Sequence, residues 1–213
     1  MSIAIPDPSS LAVLVVDVQP YFLDVAFPAD AAGRESLLVR LEQLLLLADW
    51  FDLPVLATFE HPVDRNGRLP PRLARAFPAA GQQFVKRTYD CCREPAIREA
   101  LERLPVAQIA VAGAETDVCV LQSVLGLLRM ARQVFLLEDC LFTTEPNPGP
   151  ALRRMIGAGA LPTTFKALAY ELTASVDHTP WLETWIDRDR PDAKPLSPLF
   201  RDPESLPPWR PAL

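Results

Sequence analysis

The stretch Val111-Ala112-Gly113-Ala114-Glu115-Thr116-Asp117-Val118-Cys119-Val120 decides how this chain is read. It follows the apolar run Val106-Ala107-Gln108-Ile109-Ala110-Val111, which has the character of a buried strand. It leads into residues 117–131, which read as a helix. A cysteine therefore falls on a strand-to-helix turn, inside the first helical turn. Unpaired N–H groups and the partial positive charge of a helix N-terminus meet at such a place. Both favour a thiolate, the nucleophilic form of cysteine. The same N–H groups can receive an oxyanion. Taken by its helix position alone, Cys119 reads equally well as a buried structural thiol.

Upstream, Leu11-Ala12-Val13-Leu14-Val15-Val16-Asp17 is apolar without alternation, as in a strand covered on both faces of a parallel sheet. Further strands are predicted at 54–59, 83–86, 106–111, 134–137 and 161–165, and helices at 33–51, 95–104, 117–131, 148–157 and 166–175. Pro95 suits a first helical turn, and Asn147 with Pro148 reads as a cap and first position. Strands alternating with helices at this spacing give a three-layer α/β/α fold with a mostly parallel sheet. Residues 61–82, rich in Arg and Pro, are predicted to be irregular; a segment of that length is usually a functional cover.

The 213 residues suit one α/β domain. Apolar residues make up 49% and charged residues 23%, with a net charge of −6. An acidic chain without a basic run offers no electrostatic footprint for nucleic acid or an anionic membrane. No apolar stretch reaches the ~18 residues that span a bilayer. Met1-Ser2-Ile3-Ala4-Ile5-Pro6-Asp7 lacks a basic signal-peptide start, so a cytoplasmic location is expected. The four cysteines, Cys91, Cys92, Cys119 and Cys140, do not form a metal knuckle or a Cys-x-x-Cys pair and are expected as free thiols. Seven of the 23 prolines lie in 191–213. The chain divides at that composition change into a domain over 1–186 and a proline-rich extended arm over 187–213. Trp185 and Trp209 would supply apolar anchors if that arm lay across a partner subunit.

Ligands of open parallel sheets bind at the carboxyl ends of the strands. That rule selects Asp17, Phe59-Glu60-His61, Lys86, Cys119 and Glu138-Asp139. Alone, Asp17 reads as a cap and Lys86 as a strand-end surface charge. Together with Cys119 they make chemical sense: a cysteine, a carboxylate to take its proton, and an ammonium to hold that carboxylate. Attack on a carbonyl would form a thioester and expel ammonia or an amine, and water activated by Asp17 would release the acid.

Three segments resemble the isochorismatase-like cysteine hydrolases. Val13-Leu14-Val15-Val16-Asp17-Val18-Gln19-Pro20-Tyr21-Phe22 is similar to the family's strand followed by Asp-x-Gln-x-x-Phe. Val85-Lys86-Arg87-Thr88-Tyr89 resembles its lysine segment, and Gly113-Ala114-Glu115-Thr116-Asp117-Val118-Cys119-Val120 its nucleophile turn. The resemblance implies a six-stranded parallel sheet in the order 3-2-1-4-5-6. It implies Asp17 as base, Lys86 as its partner and Cys119 as nucleophile. It also implies a cis peptide between Ala114 and Glu115, with the Glu115 and Cys119 N–H groups aimed at one oxyanion. Members that cleave the vinyl ether of isochorismate often lack the cysteine, so its presence favours C–N hydrolysis.

The chain departs from that pattern in two places. Nicotinamidases of the family carry Asp-x-His and a later His as metal ligands. Here the region reads Thr58-Phe59-Glu60-His61-Pro62-Val63-Asp64, and the only other histidine is His178. No metal or other cofactor is therefore expected. Asp90-Cys91-Cys92 stands where the family often has Ser-Ala-Phe, which points to a different pocket. Phe22, Tyr89 and His61 are the residues expected to contact a small-molecule substrate. Leu121, Val124, Leu125, Leu127 and Leu128 wrap most of the nucleophile helix, which predicts a homodimer or larger homo-oligomer. The resemblance implies even-numbered assemblies as well. Two other functions fit the same residues: a catalytically silent oligomeric binding protein of this fold, or a redox-sensing thiol protein.

Overall fold

Strand β1 (Leu11–Val16) lies at the centre of the sheet in the computed structural model, which describes residues 5–174. It is joined by β2 (Val55–Glu60), β3 (Gln82–Lys86), β4 (Gln108–Gly113), β5 (Gln133–Leu141) and β6 (Leu161–Thr163). All neighbours run parallel, in the order β3-β2-β1-β4-β5-β6. This is the expected topology.

Successive residues of β1 enter two different cores, which is why its sequence does not alternate. Leu11, Val13 and Val15 pack with Leu41 and Leu44 of α2 (Ala31–Trp50) and with Phe165 and Leu168 of α8 (Phe165–Thr173). Ala12, Leu14 and Val16 pack on the other face. Their partners are Ile97 of α5 (Pro95–Arg103), Val124 and Leu127 of α6 (Leu121–Arg129), and Met155 of α7 (Gly149–Gly157). Each such fully buried large side chain contributes roughly 1.5–3 kcal/mol of transfer free energy.

The element boundaries differ from expectation where polar anchors intervene. β4 starts two residues late, at Gln108. The Gln108 side chain is satisfied there by Ile5 O (2.8 Å), Gln133 Oε1 (2.7 Å) and Asp7 N–H (2.7 Å), so a buried strand can open on an amide. β5 continues through Glu138 and Asp139 to Leu141. Those two acids are thus not at a strand end. Asp139 accepts the Phe165 N–H at 2.8 Å and lies 3.5 Å from Arg40, a structural role. Phe165 opens α8 instead of closing β6, because the Thr164 hydroxyl caps the helix on Ala167 N–H. Asp30 caps α2 in the same way, so the helix begins at Ala31, two residues before the expected start. At α7, Pro148 and not Asn147 occupies the capping position.

The segment expected to be irregular contains two short helices, α3 (Val63–Asn66) and α4 (Pro71–Ala76). Leu69 and Leu73 bury into the core, and Arg72 ties the segment to Glu35 (2.6 Å) and Glu42 (3.1 Å) of α2. α1 (Pro20–Ala26) was not expected. On α6, Leu121, Val124 and Leu127 are buried within the chain itself. Of these four leucines and one valine only Leu125 and Leu128 stay half-buried, beside exposed Gln122 and Arg129. Intrachain packing therefore accounts for most of that helix's apolar surface. Among the described residues no helix is long and apolar enough to cross a membrane. Residue 175 and the arm over 187–213 lie outside the described residues, as does His178.

Candidate active site

Four side chains converge where β1, β2, β3 and β4 end. Asp17 follows β1 directly and has φ 48°, a left-handed conformation that aspartate tolerates better than most residues. Its N–H donates to Thr58 O at 3.0 Å, and its carbonyl accepts the Gln19 N–H at 2.8 Å, which fixes the turn. Glu60 and Lys86 are the last residues of β2 and β3 and are directly paired in register. Parallel neighbours in register project to the same face. Cys119 lies in a π-helical turn, Thr116–Val120, between β4 and α6. Gly113 makes the approach possible. It has φ +113°, and a Cβ there would lie 2.0 Å from Val16 O. The Ala114–Glu115 peptide is cis, as the resemblance implied.

Lys86 Nζ sits 2.6 Å from Asp17 Oδ2, donates to Cys119 Sγ at 3.3 Å and lies 4.0 Å from Glu60 Oε2. Thr58 Oγ1 donates to Asp17 Oδ1 at 2.8 Å. The Cys119 thiol donates to Glu60 Oε2 at 3.3 Å. Asp17, Lys86 and Cys119 are buried, whereas the Glu60 side chain is 26% exposed. Glu60 is thus the member of the group that reaches solvent. Its main chain is clamped: Gln19 Oε1 accepts the Glu60 N–H (2.7 Å), and Gln19 Nε2 donates to Glu60 O (3.2 Å) and Gly67 O (2.7 Å). Asn66 adds a second donor to Glu60 O at 3.2 Å.

Burial by itself would lower the Lys86 pKa, but the charges of Asp17 and Cys119 and their hydrogen bonds reverse this and raise it. Lys86 is therefore an ammonium. Burial pushes the Cys119 thiol up; the Asp17 carboxylate adds to the rise, Lys86 opposes it, and Glu60 adds again. In the sequence reading the helix N-terminus favours a thiolate, with Asp17 placed to take the proton. In the structure, burial and the two carboxylates act in the opposite sense and hold Cys119 toward the thiol. A thiol of this kind needs a base at the moment of reaction.

The donor atoms of Asp17, Glu60 and Cys119 lie within 4.8 Å of one another, a spacing that could hold a metal ion. The Lys86 ammonium lies 2.6 Å, 4.0 Å and 3.3 Å from those same three donors. It already fills the position a cation would take, so these residues do not fit a bound metal.

The other expected site residues are placed as follows. Glu115 opens the Thr116–Val120 turn; its carbonyl accepts the Val118 and Val120 N–H groups at 3.1 and 3.0 Å. The Thr116 N–H is engaged by Phe142 O at 3.1 Å. Phe22 is half-buried, edge-on to Tyr21 with ring centroids 5.4 Å apart, and packs on the α2 side of the sheet. Tyr89 is 54% exposed. His61 is exposed; its backbone N–H donates to Lys86 O at 3.0 Å, and the His61–Pro62 peptide is cis. The structure thus brings Asp17, Lys86 and Cys119 into contact and adds Glu60, while His61 and Tyr89 face solvent. Cys91 and Cys92 are buried in the same core as Cys119, and Cys140 is buried on the opposite face with its thiol raised by burial and by Asp139. Glu60 was visible in the sequence as a strand-end acid. What distinguishes it from neighbouring His61 is its pairing with Lys86.

The Isochorismatase domain profile matches residues 11–166, and the chain belongs to that family. It is 24% identical over 203 residues to Isochorismatase domain-containing protein 2 of Bos taurus, covering 93% of each chain. Among solved structures it resembles the YcaC gene product of Escherichia coli, described as an octameric hydrolase of unknown specificity. That likeness has a TM-score of 0.81 at 26% identity, over 90% of this chain and 94% of the other. It also resembles YcaC of Pseudomonas aeruginosa, solved with hexane-2,5-diol and covalent acrylamide. There the TM-score is 0.77 at 26% identity, over 88% and 91% of the two chains.

Proposed function

We propose that this chain is a cysteine-dependent hydrolase of a small amide or related C–N bond, acting through a covalent Cys119 thioester. The observation that carries this is the buried Lys86 ammonium in contact with both Asp17 and Cys119. In the first half-reaction the Cys119 proton passes to Asp17 as sulfur attacks the carbonyl carbon. The Glu115 and Cys119 N–H groups receive the oxyanion; this is supported by the neighbouring Thr116, Val118 and Val120 N–H groups being engaged elsewhere. Asp17 then returns the proton to the departing nitrogen, and ammonia or an amine leaves. In the second half-reaction water loses a proton to Asp17 and attacks the thioester. The acid departs and the thiol is restored. Lys86 stays an ammonium throughout and positions Asp17. No cofactor enters these steps. General acid–base help of this kind contributes about 10²–10⁴-fold.

A redox sensor needs an accessible thiol with a low pKa. Burial and the two carboxylates raise the Cys119 pKa, which disfavours the sensor. We assign substrate contacts to His61 and Tyr89, which meet an incoming molecule from solvent, and to Phe22. The described cysteines are free, which suits a reducing compartment such as the cytoplasm. We also propose that the domain ends near residue 186, and that the chain forms a homodimer or larger assembly through the half-buried Leu125 and Leu128 face of α6. The octameric Escherichia coli relative supports self-association.

The test of the activity is ammonia release from a panel of small amides and ureido compounds. Wild type turns over at least one, and Cys119→Ala turns over none. Hydrolysis by Cys119→Ala at the wild-type rate would overturn the proposal.

A further inference from the structure

The proposed chemistry employs Asp17, Lys86 and Cys119 and leaves one charged group of the cluster without a task. Glu60 is that group. Its carboxylate lies 3.3 Å from the Cys119 sulfur and 4.0 Å from the Lys86 nitrogen. It is also the cluster's most solvent-accessible member, with Asp17, Lys86 and Cys119 behind it. A molecule approaching the sulfur must therefore pass within the field of that carboxylate.

The charge of the cluster has a definite sign. At rest it comprises two carboxylates, one ammonium and a neutral thiol, hence one net negative charge. Among the described residues the ion pairs of Asp17 and Glu60 are both with Lys86, and Lys86 is closer to Asp17 at 2.6 Å than to Glu60 at 4.0 Å. Among the described residues no arginine forms an ion pair with Glu60, and Arg72 of the adjoining segment pairs with Glu35 and Glu42. Arg65 donates to Tyr21 Oη at 3.0 Å and lies over that ring, and Arg68 lies over the Phe59 ring at 5.3 Å. Gln19 and Asn66 hold the Glu60 main chain through its N–H and carbonyl, which fixes where the side chain starts. In the resting structure its hydrogen-bond donor is the Cys119 thiol, and that donor is lost once the sulfur gives up its proton.

We propose that Glu60 is the specificity-determining residue of this site, and that the substrate is a neutral or cationic small amide or ureide whose N–H group donates to Glu60. An incoming N–H replaces the thiol as the carboxylate's donor and draws the scissile group toward the sulfur. A substrate carrying a carboxylate beside the reacting carbon meets Glu60 as a like charge in a partly buried setting, where repulsion is weakly screened. The inference rests on the proposed active site but does not require turnover to be seen.

The test uses Cys119 as its own probe. The full-length protein is treated at one pH with iodoacetamide (neutral), iodoacetate (anionic) or 2-bromoethylamine (cationic). Modification of the Cys119 peptide is followed by mass spectrometry, with glutathione as the reference thiol. In wild type the iodoacetamide-to-iodoacetate rate ratio at Cys119 is expected to exceed that of glutathione by at least about tenfold. The 2-bromoethylamine rate relative to iodoacetamide is expected to be raised. Glu60→Gln, which keeps the side chain's size, is expected to bring both ratios to within about threefold of glutathione. A wild-type ratio equal to that of glutathione overturns the proposal without any variant being needed, and so does a Glu60→Gln protein whose ratios are unchanged. Charge selection at Cys119 without hydrolysis of any amide would sink the hydrolase and leave the Glu60 filter standing. Hydrolysis that depends on Cys119 without charge selection would do the reverse.

Discussion

Replacing Lys86 with methionine tests whether the buried ammonium holds the site together. Its nitrogen is 2.6 Å from Asp17 Oδ2, and the two side chains are 0% and 1% exposed. Two unit charges at that distance attract by about 6 kcal/mol at an effective dielectric of ~20, before the cost of removing both from water. Methionine matches the length of the lysine stem, so packing is largely kept and the change is the loss of charge. Asp17 is then a buried carboxylate with only Thr58 Oγ1 as a side-chain donor. Breaking a buried pair from one side costs about 3–5 kcal/mol. Urea denaturation followed by far-UV circular dichroism should show a loss of that size for Lys86→Met. The double variant Asp17→Asn/Lys86→Met, which leaves no orphan charge, should recover about 2 kcal/mol or more. The pH dependence has a fixed sign. The folded-state pKa of Lys86 is raised above 10.5, so the pair's contribution is complete below pH 10.5 and is lost as pH climbs through the folded value. The difference between wild type and Lys86→Met should therefore stay level from about pH 7 to about pH 10 and narrow only above that. A single variant within about 1 kcal/mol of wild type, or a double variant no more stable than Lys86→Met, would refute this view of the pair.

Gly113→Ala should destabilise the fold by at least about 2 kcal/mol, because the new Cβ meets Val16 O at 2.0 Å and φ is +113°. A denaturation midpoint close to wild type would show that the turn can relax. Alkylation of Cys119 by iodoacetamide should keep accelerating through pH 9, since the thiol is raised above its ordinary 9.0; a plateau below pH 8 would mean a resting thiolate. Light scattering at micromolar concentration should give a multiple of 23.6 kDa, and a mass near that of one chain would rule out self-association. Removing residues 191–213 separates the contributions: a lighter assembly would assign part of the contact to the arm.

β1 and β4 were legible because both faces of a central parallel strand are covered, so unbroken apolar runs such as Leu11 to Val16 mark them. The convergence of Asp17, Lys86 and Cys119 was legible because all three lie at or just past the carboxyl ends of neighbouring strands, where open parallel sheets bind ligands. Other features depend on information a linear pattern does not carry. α3 and α4, with four and six residues, are too short to show a helical period. α1, with seven residues, is scarcely longer and buries only Leu23. The place of Glu60 comes from its register against Lys86, a relation between strands 26 positions apart. The raised Cys119 pKa comes from burial and from two carboxylates arriving on other strands, neither of which the helix N-terminus announces. The apolar surface of α6, which in sequence calls for a second subunit, is met mostly by the chain's own core at Val124 and Leu127.

The proposed chemistry requires Cys119 to become covalently acylated during C–N bond hydrolysis. It is tested most directly by acid-quenching the enzyme during turnover of an amide from the panel, then measuring intact mass and mapping peptides. An added mass equal to the amide less ammonia is expected, carried on the peptide that contains Cys119 and absent from Cys119→Ala. One ammonia is expected for each acyl group transferred in the first turnover. Steady ammonia release with Cys119 unmodified at every quench time, and undiminished in Cys119→Ala, would contradict it.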